Sequence, residues 1–274
     1  MSLEHEVAVH YAHGALAAAI RQAMVAAGKD PDRLTPEDLA PVDELHIGGR
    51  DATIELFTAV APGAGEAWLD VGSGLGATAR HLAAAHGCRV IGIDLTPEFV
   101  EVASGLARRA GLDGQVAFHQ GSALALPFPT ASFDGAAMLH VGMNIADKPA
   151  LFAEIHRVLK PGGRFALYDV MRLAEGDLAF PLPWASAPGA SFVATPAEYR
   201  AALRAAGFGV IVERNRADFA REFFGAMRAR LAAAGRPALG LHVVMGEDAP
   251  RRVANLVRAL EQGLVAPFEF IAGA

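Results

Sequence analysis

From Arg50 to Val170, short apolar runs alternate with stretches in which apolar residues recur at helical spacing. The pattern predicts strands at Ala67–Val71, Arg89–Ile93, Gln115–His119, Gly135–Leu139 and Arg164–Asp169, and helices at Ala77–Ala85, Pro97–Ala110 and Lys148–Leu159. Near-continuous apolar strands separated by helices belong to a parallel sheet covered on both faces. Upstream, Leu3 to Ala27 carries apolar residues at most positions and ends at Gly28 before a Lys-Asp-Pro-Asp turn, which predicts one long helix and then a loop. Downstream follow a helix at Pro196–Ala206, a strand at Phe208–Glu213, helices at Asp218–Ala234 and Asp248–Gln262, and a last apolar run, Leu264–Ile271. Thr35-Pro36, Thr96-Pro97 and Thr195-Pro196 each place a hydroxyl N-cap before a proline at the first helical position. Thr195 with Glu198 also fits a capping box. The two ends read as additions to one α/β core.

Composition narrows the class. With 274 residues, 53% of them hydrophobic, the chain buries a sizeable core, and 20% charged residues with a net charge of −6 exclude a disordered chain. No basic block marks a nucleic-acid footprint. Mean hydropathy is +0.28, but much of it comes from alanine, and the longest uncharged stretch, Leu178 to Ala197, holds four prolines and so predicts no membrane span. Cys88 is the single cysteine, which excludes an internal disulfide and any multi-cysteine metal site. The acidic start, Glu4 and Glu6, does not resemble a secretory signal, so a soluble cytoplasmic protein is expected.

Chemistry concentrates in Trp68-Leu69-Asp70-Val71-Gly72-Ser73-Gly74-Leu75-Gly76-Ala77. A strand ending in a glycine-rich turn lets backbone approach a ligand, and the next helix aims its N–H groups at it. Gly72-x-Gly74-x-x-Ala77 also satisfies the dinucleotide fingerprint, and Asp94 lies at the ribose-binding distance of that motif, which keeps a nicotinamide oxidoreductase in view. Asp70 weighs against it, because a carboxylate at the mouth of the loop suits a cationic amino-acid ligand and repels a pyrophosphate. Leu159-Lys160-Pro161-Gly162-Gly163-Arg164 adds a sharp helix-to-strand turn that a nicotinamide enzyme leaves unexplained.

With these residues the chain resembles class I S-adenosylmethionine-dependent methyltransferases. The likeness continues through Gly92-Ile93-Asp94-Leu95, Gly121-Ser122-Ala123, Leu126-Pro127-Phe128, Ser132-Phe133-Asp134 and Arg157 to Gly163, over roughly residues 46 to 214. It is nearest to the type 11 branch of ubiquinone and menaquinone biosynthesis and to the glycine, sarcosine and dimethylglycine N-methyltransferases. Leu45-His46-Ile47-Gly48-Gly49 with Ala52-Thr53 is similar to the His-x-Gly element of the latter group.

The resemblance implies a Rossmann-like, seven-stranded, mostly parallel α/β sheet with helices on both faces. It also implies one methyltransferase domain over residues 1–274, with an N-terminal helical lid (1–49), a cofactor-binding core (50–170) and an acceptor-side cover with the last strands (171–274). S-adenosyl-L-methionine is the implied cofactor. Gly72, Ser73, Gly74 and Gly76 would lie under its methionine and ribose, Asp70 near its amino end, and His46, Gly48 and Gly49 beside its methionine. Asp94 would accept the ribose hydroxyls, Leu95 would pack on the adenine, and Ser122 and Ala123 would contact its edge. Ser122 departs from the family, which usually carries an acid there to accept the adenine amine; a hydroxyl offers one weaker, neutral bond.

His140 ends the fourth strand, where this fold presents the methyl group, so it is the candidate base as well as a cofactor contact. The acceptor is expected to be a small molecule, with an amine nitrogen favoured by the His46-x-Gly48 likeness and an oxygen or carbon acceptor kept open by the quinone relatives. A non-catalytic cofactor-binding protein is the remaining class.

Other candidates are weaker. Arg50, which with His46, Gly48 and Gly49 precedes a core helix expected to start near Thr53, is read as pairing with the cofactor's carboxylate or with an anionic acceptor, or as a solvated loop residue. His5, His10, His13 and Tyr11 are read as lid residues, and no carboxylate cluster completes a metal site with them. Trp184 and Phe192 are candidates for the acceptor wall, by stacking or cation–π attraction, or for plain packing. Arg228, Arg230, Arg251 and Arg252 fit solvated or homodimer faces better than a nucleic-acid surface. No membrane partner is expected.

Overall fold

The computed structural model describes residues 3–12 and 14–274. A seven-stranded sheet runs in the order β3-β2-β1-β4-β5-β7-β6. Its strands are β1 (Ala67–Val71), β2 (Arg89–Asp94), β3 (Val116–Gln120), β4 (Phe133–Leu139), β5 (Leu159–Arg172), β6 (Gly209–Asn215) and β7 (Val265–Gly273). Strands β1 to β5 are parallel, with Leu69 between Ile91 of β2 and Ala136 of β4. The last apolar run slots between β5 and β6 antiparallel to both, as in Leu167 opposite Phe270. Chain order reverses between β1 and β4, so their carboxyl ends leave a crevice of the kind in which open α/β sheets bind ligands.

Eleven helices are seen among the described residues: α1 (Leu3–Tyr11), α2 (Leu16–Ala26), α3 (Pro36–Asp43), α4 (Gly49–Val60), α5 (Ala77–His86), α6 (Pro97–Arg109), α7 (Lys148–Val158), α8 (Pro196–Ala205), α9 (Ala217–Ala234), α10 (His242–Met245) and α11 (Ala249–Glu261). On one face of the sheet, α7, α8 and α11 pack Phe152, Tyr199 and Leu260 against Phe165 and Phe270. On the other, α4, α5 and α6 pack Phe57, Leu82 and Ala103 around Trp68. A third apolar cluster joins α2, α3, α6 and α10 through Ile20, Leu39, Leu106 and Val244. None of these helices is long and apolar enough to cross a membrane.

Three expectations change. The long N-terminal helix is two helices: Gly14 takes a left-handed φ of 73°, and Glu98 of α6 accepts from the backbone N–H groups of Gly14 and Leu16, both at 2.9 Å. A carboxylate on the first N–H groups of α2 replaces the side-chain cap that α2 lacks. Thr35 and Thr195 form capping boxes with Asp38 and Glu198, but Thr96 makes no side-chain cap; its own N–H is held by Asp94 at 2.9 Å. The helix expected near Thr53 begins at Gly49.

One buried ion pair links the N-terminal segment to this frame. Arg80 of α5 is 0% exposed, pairs with Asp43 at the end of α3, and donates to Leu75 O in the glycine loop at 2.8 Å. Removing one partner strands a buried charge. Asp43→Ala is expected to cost on the order of 3–5 kcal/mol in urea unfolding, and the double variant Asp43→Leu/Arg80→Met to recover most of it. A double variant as unstable as the single would show that the pair itself, not the stranded charge, carries the effect.

Candidate functional site

A cavity of about 300 Å³ opens over the carboxyl ends of β1, β2 and β4. Gly72, Gly74 and Gly76, at φ 68°, 51° and 83°, turn the chain from β1 into α5. Gly72 N and Ser73 N both donate to Ile93 O, at 2.8 and 3.0 Å, which fixes the loop to β2. Gly74 N and Thr96 N donate to the two oxygens of Asp94, at 2.8 and 2.9 Å. Burial raises the Asp94 carboxyl above its ordinary value and these N–H groups oppose the rise, so an oriented acceptor stands at the tip of β2.

Asp70 is the least compensated group in the wall. It is 2% exposed, burial pushes its carboxyl up to about 7, and one of its oxygens has no hydrogen-bond partner. Such a group calls for a donor or a cation.

His46, Gly72, Ser73, Gly74, Leu95, Ser122, Ala123 and His140 line the same cavity as Asp70 and Asp94. Gly48, Gly49 and Gly76 do not line it. A Cβ on Gly48 would fall 2.3 Å from Phe219, and one on Gly76 would fall 2.4 Å from Phe118 and 2.9 Å from Arg80, so both glycines answer to internal packing. Gly49 O accepts from His46 Nε2 at 3.1 Å. Arg50 also lies off the wall, paired with Glu37. Trp184 lines the cavity with its indole N–H given to Ser191 at 2.9 Å; Phe192 does not, and its carbonyl takes the Lys148 ammonium at 2.9 Å. Of the lid histidines, His10 reaches the wall, His5 does not, and His13 lies outside the described residues.

His140 ends β4 at φ 55°, a left-handed conformation in which a non-glycine residue is strained. Its N–H donates to Tyr168 O at 2.7 Å, its ring stacks on Tyr168 at 5.3 Å, and the His46 ring stands 5.8 Å away. Burial, then the neighbouring His46, holds its pKa well below the ordinary imidazole range. His46 is itself lowered by burial to about 4, and Thr53 Oγ1, 3.1 Å from its Nε2, gives its proton to Glu44 at 2.9 Å. Two neutral imidazoles therefore stand beside the cavity at physiological pH.

The far wall escaped the sequence reading. It comes from Met143 and Asn144 after β4, Phe223 and Phe224 of α9, Val244 of α10, and Arg252 and Leu256 of α11. The apolar ones look like ordinary core positions, and no local signal sets them apart; Arg252, expected on a solvated or homodimer face, instead lines the cavity and donates to Leu182 O at 2.9 Å. Glu4 and Tyr11 of α1 also line the cavity: Ser122 donates to Glu4, and Asn144 Nδ2 lies 3.4 Å from Tyr11 OH. Among the described residues, no group of three or more His, Cys, Asp and Glu side chains is placed to hold a metal ion.

Comparison with known proteins agrees with this geometry. Residues 69–167 match a family model described as a methyltransferase domain. An O-methyltransferase, cnsE, of Penicillium expansum is 36% identical over 135 residues, which is 49% of either chain. The chain spans about half the length of the curated relatives it matches. Among solved structures, a putative sarcosine dimethylglycine methyltransferase from Galdieria sulphuraria superposes with a TM-score of 0.67 at 19% identity, covering 81% of this chain and 84% of that one. Geranyl diphosphate C-methyltransferase from Streptomyces coelicolor A3(2), in complex with S-adenosyl-L-homocysteine, gives a TM-score of 0.70 at 17% identity over 100% of this chain and 98% of that one. The segment 69–167 is a methyltransferase domain, and the chain has the fold of class I methyltransferases.

The unpartnered carboxylate gives a pH prediction. In the folded protein Asp70 titrates near 7, against 3.8 ordinarily, so between these values the folded state holds a proton that the unfolded chain has lost. Stability therefore falls as pH rises through this range. Asp70→Asn is expected to stabilise the ligand-free protein at pH 8, on the order of 2–4 kcal/mol, and to have little effect below about pH 4. Thermal unfolding at the two pH values checks it.

Proposed function

We propose that this chain is an S-adenosylmethionine-dependent methyltransferase that acts on a small molecule. The observation that carries the reading is the pair of carboxylates on the glycine-loop side. Asp94 is held by Gly74 N and Thr96 N with lone pairs left for two ribose hydroxyls, and Asp70 lacks the partner that an α-ammonium would supply. Both fit an amino-acid-bearing nucleoside, and Asp70 opposes the pyrophosphate of a nicotinamide cofactor. In this reading residues 50–170 hold the cofactor, and the acceptor lies between them and the cover from residues 1–49 and 171–274.

When bound, S-adenosylmethionine supplies a methyl group already activated by its sulfonium. What is left for the protein is to align the acceptor, keep water out and remove a proton. Met143, Trp184, Phe224 and Leu256 supply a dry wall. His140, neutral and at the end of β4, is the group we assign to take the proton.

An amine nitrogen is the acceptor we put first, supported by the Trp184 indole on the wall, which suits an amine that becomes methylammonium. A hydroxyl is the second reading. It is favoured by the shortage of carboxylates on the far wall, where Asp147 is exposed and already accepts from Ala150 N at 2.9 Å.

Calorimetric titration with S-adenosylhomocysteine tests the cofactor assignment, and no binding at high micromolar concentration would overturn it. Asp94→Ala is expected to weaken that binding by about 2 kcal/mol or more, since two hydrogen bonds to a carboxylate are lost. His140→Ala should lower turnover at least about a hundredfold and leave S-adenosylhomocysteine affinity within a fewfold of the parent. Unchanged turnover would remove His140 as the base.

A further inference from the structure

We propose that Glu4, on α1, reads the amino group of the cofactor's base, so that recognition of the base and closure of α1 are one event. The proposal rests on the cofactor assignment above and adds a specificity residue to it.

The argument starts from the end of the cavity beyond Asp94. Gln120 is the register partner of Asp94 across β2 and β3, and Gly121 N donates to Asp94 O at 2.9 Å, so Ser122 follows immediately along the same wall. Leu95, Phe99 and Leu124 line the cavity here and give a flat ring apolar surfaces to lie against. With Asp94 on the sugar hydroxyls, the group that reaches Ser122 is the base.

Ser122 has little left to offer a ligand. Its oxygen accepts from Leu124 N at 3.0 Å, and its proton goes to Glu4 Oε1. One neutral lone pair remains. The Glu4 carboxylate beside it accepts only, and its second oxygen stands available to a further donor. This corner therefore presents acceptors, with a charged one among them, and is matched to a ring edge that carries an N–H donor. A ring edge that carries an oxo group would face a carboxylate, which is the kind of mismatch that a site built on hydrogen bonds rejects strongly.

The attachment of α1 makes the contact conditional. No residue of α1 is fully buried. The helix is held by side-chain contacts, among them Glu4 on Ser122, His10 within 3.3 Å of Pro183 O, Ser186 Oγ and an Arg252 nitrogen, and Tyr11 beside Asn144. Gly14, at φ 73°, separates it from α2, which buries Leu16, Ile20 and Met24. A ligand amine that donates to Glu4 adds a further charge-assisted tie to this helix. By linkage, a docked α1 raises affinity for that ligand by the same factor.

The test compares S-adenosylhomocysteine with S-inosylhomocysteine, which carries an oxo group in place of the amine, on the parent protein and on Glu4→Gln, by calorimetry. The parent is expected to prefer S-adenosylhomocysteine by about tenfold or more. Glutamine can turn either its carbonyl or its amide N–H to the ring, so the preference should shrink to about two- to threefold in Glu4→Gln, through weaker S-adenosylhomocysteine binding, stronger S-inosylhomocysteine binding, or both. Proteolysis between α1 and α2 gives a second readout: S-adenosylhomocysteine should protect the parent more than it protects Glu4→Gln at equal saturation. A preference that survives in Glu4→Gln overturns the proposal, as does equal protection of the two proteins. A parent that binds neither ligand overturns the cofactor assignment instead, which keeps the two failures apart.

Discussion

The glycine-loop side of the cavity depends on one buried guanidinium. Arg80 sits in the middle of α5 with 0% exposure, and its partners lie on different segments, Asp43 at the end of α3 and the carbonyl of Leu75 in the loop. An unpaired guanidinium at that depth is costly, so α3 cannot leave the body without stranding it. The loop therefore keeps its shape without a ligand, because Leu75 is held from behind while Gly72 and Ser73 are held by Ile93. Gly76 follows from the same constraint, since any side chain there would meet Arg80 and Phe118. The helix α1 lies outside this network and is held by its own side-chain contacts, such as Glu4 on Ser122.

Burial at and around the site sets two groups of side chains against each other, Asp169 and His81 lying off the cavity wall. Asp70 and Asp169 are raised by burial, to about 7 and about 6, so folding retains protons on them and is favoured as pH falls. His46 and His81 are lowered by burial, each to about 4, and His140 is lowered too, so folding excludes protons from them and is disfavoured as pH falls. Between roughly pH 4 and 6.5 the two trends oppose, which flattens the dependence there. Above this range the histidines are neutral in both states and the acids dominate. Asp169 has internal help, with Tyr199 donating to it at 2.7 Å. Asp70 has an unpartnered oxygen, so its cost is the one a cationic ligand relieves.

The core strands and the helices between them were legible because their signals are local. Buried parallel strands read as apolar runs, and the β1 range, Ala67–Val71, is the expected one. The capping box at Thr195 was equally local, three residues from cap to partner, and so was the Thr35 N-cap, whose box with Asp38 the structure adds. The break between α1 and α2 was not, because the carboxylate that stabilises it, Glu98, lies more than eighty residues away. Arg80 has neighbours that give it the look of a solvated helix position, and only the placement of α3 buries it. His46, Gly72 and Gly74 line the cavity, while Gly48 and Gly76 carry the same left-handed signal for reasons of packing and Gly49 stands off the wall with neither reason. A glycine pattern states that a side chain is excluded, and it does not state whether a ligand or the protein excludes it.

The same distinction separates the two halves of the cavity. The segment that matches the methyltransferase domain, residues 69–167, contains Asp70, the glycine loop, Asp94, Ser122 and His140. It contains none of Tyr11, Trp184, Phe223, Phe224 or Leu256, which come from α1, from the segment after β5, and from α9 and α11. The segment after β5, α9 and α11 pack on the sheet side through apolar side chains that many sequences could supply, and α1 is held by side-chain contacts such as Glu4 on Ser122, whereas the loop side is held by specific backbone and ionic contacts. Replacing the first set changes the size and polarity of the far wall at little cost to the loop; replacing the second collapses the loop. In the function proposed above, a chain built this way holds one cofactor geometry fixed and leaves its acceptor to be set by the segments outside the matched domain.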